Sequence, residues 1–276
     1  MRKTNYHTHT VLCGHAVGRV EDYIKKAIEL NMEEIGMSDH NPVPEYLMSE
    51  RDRKYNWCDQ FMSINEFESN YWKELDDCIN KYQDKIKIYK GLECEYLPSK
   101  KEYYEFLKSK LDYLALGLHY YVLNDKILNT YDDCYYDTVD GYFQTAFEAL
   151  NSGLFRIMVH PDLFFFNYKD KNGNVTFDDK LKKYSRMLIE CAIKNNVALE
   201  INCGGIKNTS KYKQDASSWG YPRSEFFEIA KEYKDLEIVI GIDAHSPEEL
   251  NGPAIEKIEE FAKRLNINVK EKIKIA

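Results

Sequence analysis

Short apolar runs alternate with longer amphipathic stretches along this chain, and that alternation restricts the fold more than any other feature. The runs lie around 5–7, at "EIGMSDH" (34–40), "KIKIYKGLE" (85–93), "YLALGLH" (113–119), "FRIMVH" (155–160), "VALEINC" (197–203) and "EIVIGID" (237–243). Each has the length and composition of a buried strand. The stretches 20–31, 64–82, 99–110, 141–153, 180–196, 223–235 and 254–266 read as helices. Ser246-Pro247 is a helix-start signal, and Leu150 to Gly153 a helix end. Seven strand-then-helix units predict a parallel sheet with helical crossovers, closed into a barrel. The expected class is α/β, with residues 1–276 as a single domain, since such barrels commonly use roughly 250 residues. Residues 41–63, with Pro42, Pro44 and "SERDRK", are too long for an ordinary connection and read as an excursion at the site.

All seven histidines fall outside the expected helices. His7 and His9 end the first run, His40 the second, His119 the fourth and His160 the fifth. His245 follows the seventh, and His15 lies in the first connection. Glu93 and Asp243 stand at the same level. The C-terminal ends of barrel strands converge on one mouth, so these side chains are expected to meet. Alternate strand residues share a side, so His7 and His9 can reach one ion, and Asp243 with His245 repeats the spacing. Imidazole with carboxylate, without cysteine pairs, suits a catalytic zinc, iron or manganese site. Asp39 beside His40 reads as a supporting or capping group, and Asp162 as a turn or cap. Arg156 alternates with His160, although a salt bridge inside the barrel explains it equally.

The net charge of −8 argues against a nucleic-acid surface and requires a local positive source if the substrate is anionic. The seven cysteines are scattered without a C-x-x-C pair, which predicts free thiols in a reducing cytoplasm. Cys13, Cys94 and Cys203 read as packing residues near the mouth. No run suits a signal peptide or a membrane span.

The ordered motifs H-T-H-T, C-G-H-A, S-D-H, G-L-E, G-L-H, V-H-P-D and G-I-D-A-H, spread from Tyr6 to Ser246, resemble the polymerase-and-histidinol-phosphatase (PHP) superfamily. "CGHA" with "EIGMSDHNP" is most similar to its stand-alone histidinol-phosphate phosphatases. The resemblance implies a distorted (β/α)7 TIM-like barrel holding three divalent ions. His7, His9, Glu93 and Asp243 would hold one; Glu93 would bridge to a second with His119 and His160; His15, His40 and His245 would hold the third. It implies hydrolysis of L-histidinol phosphate, a small phosphate monoester, by in-line attack of a hydroxide held between ions. Asp243, His245 and Glu93 would be catalytic, with Asp243 or a water on the third ion protonating the leaving alkoxide.

Phosphate contacts are expected from Lys207 and Arg223, with Asn202 lining the cleft. Lysine stands where related phosphatases frequently carry arginine, and it binds as a point charge instead of a fork. Glu45, Tyr46, Glu50 and Tyr55 of the excursion, with Tyr120 and Tyr121, are candidates for the organic part. Three alternatives stay open. One is a PHP phosphatase for another phosphomonoester, nucleotide or phosphotyrosine protein; another is a metal-binding module that scaffolds a polymerase. The third is a carbon–nitrogen hydrolase of the amidohydrolase type.

Overall fold

The computed structural model describes residues 2–42, 62–207 and 214–275. Its strands, in chain order, are β1 (Thr4–Asn5), β2 (Glu34–Met37), β3 (Lys87–Cys94), β4 (Tyr113–Leu116), β5 (Tyr120–Leu123), β6 (Lys126–Asn129), β7 (Ile157–Met158), β8 (Ala198–Asn202) and β9 (Ile238–Gly241). The longer helices are α1 (Val20–Glu29), α2 (Trp72–Tyr82), α3 (Lys101–Lys108), α4 (Val139–Asn151), α5 (Asp179–Lys194), α6 (Ser224–Ala230) and α7 (Pro253–Arg264). One parallel sheet runs β1-β2-β3-β4-β7-β8-β9, so every neighbour in space is the next strand of the expected series. Beyond the end strands, Thr8 bridges Ala244 in parallel and Asn5 Oδ1 accepts the Ile242 amide at 2.9 Å. The result is a nearly closed α/β barrel of seven parallel strands.

Local chemistry explains the helix boundaries. α1 buries Val20, Tyr23, Ile24 and Ala27, one stripe at helical spacing. Asp178 caps α5 by accepting the Leu181 amide at 2.9 Å. The stretch expected as one helix over 64–82 starts at a Ser63–Glu66 capping box but carries a π turn at Phe67–Tyr71 before α2. That turn sets the Tyr71 hydroxyl to donate to the Gly91 carbonyl (3.0 Å) and accept from the Asp39 amide (3.2 Å), just under the mouth.

Between Tyr120 and Asn129 the chain forms an antiparallel hairpin that the apolar-run pattern does not show. Its two-residue turn, Asn124-Asp125, has φ of 51° and 60°, the left-handed values such a turn requires. Most of the excursion, including Glu45, Tyr46, Glu50 and Tyr55, lies outside the described residues.

Side-chain alternation sorts the barrel interior into layers. On β4, Leu114 and Leu116 join the core under the helices, whereas Tyr113 and Ala115 face inward. Ala198 and Val239 face inward from β8 and β9, and the C-terminal Ile273 and Ile275 complete this lower plug. The same parity carries upward from Tyr113 to Gly117 and His119, from Ala198 to Glu200 and Asn202, and from Val239 to Gly241 and Asp243. The lower half of the barrel is therefore apolar and the upper half polar.

Tyr113 crosses the plug, its hydroxyl donating to the Tyr6 carbonyl at 2.7 Å. A methyl group at Gly36 or Gly91 would overlap it. Gly91→Ala is expected to cost about 3 kcal/mol through overpacking, lowering the melting temperature by about 6–12 °C. A drop under about 2 °C in a thermal melt would show that the ring moves aside freely.

Candidate metal centre

The upper half of the barrel brings all seven histidines together, five of them around one carboxylate. Glu93 Oε2 lies 3.3 Å from His7 Nε2, 3.3 Å from His9 Nε2 and 3.3 Å from His40 Nδ1. Its other oxygen, Oε1, meets His160 Nε2 at 2.9 Å and His119 Nε2 at 3.6 Å. Asp243 Oδ1 adds contacts of 3.5 Å to His7 Nε2 and 3.2 Å to His9 Nε2. On the rim, His245 Nε2 meets His15 Nε2 at 3.0 Å, and the ligand atoms of His9, His40 and His245 lie within 4.8 Å of one another. His15 is the exposed member.

The donor chemistry fits cations. The His7 Nδ1–H donates to Glu200 at 2.8 Å, His119 to Glu95 at 2.6 Å, His15 to the Cys13 carbonyl at 2.9 Å and His245 to the Asp243 carbonyl at 3.0 Å. With that proton on Nδ1, each Nε2 presents a lone pair, the arrangement of a ligating histidine. Yet His7 Nε2 faces His9 Nε2 at 3.1 Å, and His15 Nε2 faces His245 Nε2 at 3.0 Å. Lone pairs this close repel unless a proton or a cation lies between them. Among His7, His9, Glu93 and Asp243 the five separations above, 3.1 to 3.5 Å, are tetrahedral edges. An ion with bonds of about 2.0–2.1 Å to four ligands has edges of about 3.3–3.4 Å.

The electrostatics agree. Burial alone would push the His7 imidazole down, but Glu200, Asp243 and Glu93 hold it well above the usual value. Burial would raise the Glu93 carboxyl, yet His7, His119 and His40 keep it well below the ordinary range. The centre needs positive charge, supplied by protons or metals.

Glycines make room for the carboxylates: a methyl group at Gly117 would overlap Glu93 Oε1, one at Gly204 would overlap Asp243, and one at Gly241 would overlap Glu200. His160 and Asp243 have left-handed backbones, with φ of 32° and 54°. Such strain in non-glycine residues collects at functional sites. At His160 it has a direct consequence. Ile157 and Val159 already face inward, so a regular strand would turn His160 outward; the left-handed turn sends it to Glu93 instead.

The expected phosphate contacts sit differently. Lys207 Nζ donates to Glu249 at 2.8 Å and to the Asp243 carbonyl, so it borders the centre but is already partnered. The Arg223 guanidinium donates to the Trp219 carbonyl at 2.6 Å and pairs with Glu225 at 2.6 Å, and it stacks over Phe165. No described contact brings it to the histidines. Asn202 is buried and turned inward, donating to Glu200 Oε2 at 2.6 Å. Tyr121, expected at the pocket, is core: its hydroxyl donates to the Asp133 carbonyl at 2.8 Å, because hairpin parity turns it toward α4.

Asp39 accepts the Thr10 and His40 amides at 3.0 and 2.8 Å, a supporting contact. Asp162 makes no local cap; it accepts the Arg223 amide at 2.5 Å, and burial pushes its carboxyl up to about 7. Arg156 lies at the opposite end of the barrel, paired with Glu237 and donating to the Lys274 carbonyl at 2.8 Å. Cys13 Sγ falls within 4.8 Å of the His15 and His245 ligand atoms, closer to the chemistry than packing alone requires. Glu200 was legible as a carboxylate within the buried strand β8, and Glu95 as one just past the end of β3; buried carboxylates must find partners there.

Comparison with known proteins follows the same lines. A "Probable histidinol-phosphatase" of Deinococcus radiodurans is 24% identical over 258 residues, covering 88% of this chain and 86% of that protein. One of Schizosaccharomyces pombe is 23% identical, covering 88% and 81%. Among solved structures, the histidinol phosphate phosphatase of Lactococcus lactis, complexed with zinc, L-histidinol and phosphate, matches with a TM-score of 0.67 at 19% identity. That match covers 97% of this chain and 95% of the other. The PHP domain family model matches residues 5–204, a span holding His7, His9, His15, His40, Glu93, His119 and His160. The chain belongs to the PHP domain family.

Proposed function

We propose that this chain is a metal-dependent phosphomonoesterase that hydrolyses L-histidinol phosphate to L-histidinol and phosphate in the cytoplasm. The observation that carries the reading is Glu93, one buried carboxylate whose two oxygens meet five imidazoles. On this reading His7, His9, Glu93 and Asp243 hold one divalent ion, Glu93, His119 and His160 a second, and His15, His40 and His245 a third. Bound divalent ions supply an activated water and a positive field for a phosphate monoester. That local field answers the net charge of −8.

The chain's own residues do the rest. Glu93 and Asp243 stay ionised because charged imidazoles surround them, the latter also beside Lys207, even though burial opposes it. The proton for the departing alkoxide would come from water at the half-buried rim, oriented by the ionised Asp243 carboxylate beside His245. Lys207 adds a point charge at the same rim. Among the described residues, the polar centre sits on an apolar plug that closes it from beneath.

Support for the substrate comes from the relatives' names, each "Probable histidinol-phosphatase". The test is turnover of L-histidinol phosphate by metal-reconstituted protein against a panel of phosphomonoesters, nucleotides and a phosphotyrosine peptide. A kcat/KM for L-histidinol phosphate at least about tenfold above the panel mean is expected. Parity with the panel would sink the substrate assignment while leaving the phosphatase one. No turnover of any member, with metal content confirmed by elemental analysis, would sink both.

A further inference from the structure

We infer that Glu200 is a positioning residue that locks the two halves of the metal centre to each other from beneath. Its Oε1 accepts the His7 Nδ1–H at 2.8 Å, and its Oε2 accepts the His160 backbone amide at 3.0 Å. On the reading above, His7 serves one ion and His160 another. Glu93 joins the same two residues at their Nε2 atoms. His7 and His160 are thus held between two carboxylates, one on the metal side and one behind.

Three further features fix Glu200 in that role. Asn202, two residues on and facing the same way, donates to Oε2 at 2.6 Å and is itself held by the Gly204 amide at 2.5 Å. Gly241 on the adjacent strand leaves the space the carboxylate occupies, which any side chain would overlap. The His160 amide it captures belongs to the residue whose left-handed backbone, φ 32°, turns the imidazole inward. Losing that tether lets the segment relax toward a regular strand, which points His160 away from Glu93. Losing the other contact frees the His7 ring to rotate and to move its proton to Nε2. One carboxylate therefore controls one ring's tautomer and another ring's direction. Glu95 has a narrower reach, accepting from His119 Nδ1 at 2.6 Å and from the His119 and Tyr120 amides at 3.1 Å each, all on one side of the centre.

The inference rests on the metal-binding part of the proposed function and is independent of the substrate. Glu200→Gln keeps the volume but sets an amide NH2 against either the His7 Nδ1–H or the His160 N–H. Cobalt(II) titration followed by visible absorbance is expected to show two classes of site weakened together, each by about 10–100-fold, with altered bands for the bound ion. Asn202→Ala, removing only the 2.6 Å donor, is expected to weaken both classes in the same direction by less. Glu95→Gln is expected to weaken a single class. Unchanged cobalt affinity in Glu200→Gln, or weakening of one class alone, would overturn the inference. If Glu200→Gln does not fold, Asn202→Ala decides by the same two criteria. No step uses substrate, so a protein that binds cobalt as described but spares L-histidinol phosphate counts against the proposed substrate only.

Discussion

Glu93→Gln is expected to lose most of the bound metal and to lower kcat/KM by at least about 10³-fold, the scale set when several kcal/mol of metal-derived stabilisation disappear. The substitution is nearly isosteric, so what it removes is charge and half the acceptor capacity. In the native protein Oε2 meets His7, His9 and His40 at 3.3 Å each, and Oε1 meets His160 at 2.9 Å and His119 at 3.6 Å. An amide can offer its oxygen to only one of those groups and turns two N–H donors toward the other. Gly117 lies directly under Oε1, so the side chain has no alternative place to go. Elemental analysis of dialysed protein should fall by about two ions per chain, because both groups of ligands share this residue. Metal content and rate both equal to wild type would eliminate a bridging role for Glu93.

Much of the barrel, and the gathering of histidines at its mouth, was visible in the linear order of residues, for a physical reason. A parallel strand covered by helices must be largely apolar, so the polar residues that follow the run mark its open end, and His40, His119 and His160 stand out beyond "EIGM", "YLAL" and "RIMV". What stayed hidden depended on three-dimensional parity and partnering. His160 reads as an ordinary strand-end ligand, but it reaches the centre only through a left-handed backbone that breaks the alternation. Glu200 and Glu95 lie one alternation step from recognised positions, and their roles are set by rings on other strands. Lys207 and Arg223 look equally available in sequence; one borders Asp243 and the other is tied into its own loop, a difference made by Glu249 and Glu225. The C-terminal "KIKIA" reads as a tail or edge strand, yet Ile273 and Ile275 plug the barrel floor, since the small Ala115 and Ala198 leave room there.

Metal uptake is expected to expel protons from one part of the centre and not from another. Burial on its own lowers the imidazoles of His7, His9, His15, His40, His119 and His245. At His9 it is outweighed by Asp243, Asp39 and Glu93, which bring the ring up to about 10; at His119 by Glu95 and Glu93, which bring it to about 9. His7 is likewise held high. At His245 burial prevails, reinforced by the charged His9, and drives the ring down to about 2; His40 is pushed well down and His15 down by the same two causes. Near neutral pH the metal-free chain therefore carries protons on His7, His9 and His119, while His15, His40 and His245 are neutral.

A cation entering between His7 and His9 must displace those protons, so its apparent affinity is expected to fall by about tenfold per proton for each pH unit lowered, up to about 100-fold when two leave. A cation at His15, His40 and His245 displaces none above about pH 7 and should show nearly flat affinity between about pH 7 and pH 8. Calorimetry in buffers of different ionisation heat counts the protons released. The same groups set the sign for stability. A folded-state value raised above the unfolded 6.5 stabilises fully below 6.5 and loses that contribution as pH climbs through about 9 for His119 and about 10 for His9. The metal-free protein should thus melt at progressively lower temperature between about pH 6.5 and pH 10, whereas the metal-loaded protein, its protons already replaced, should lack that decline. Equal proton release at every site, or identical alkaline profiles with and without metal, would remove the division of the centre into a protonated and a neutral part.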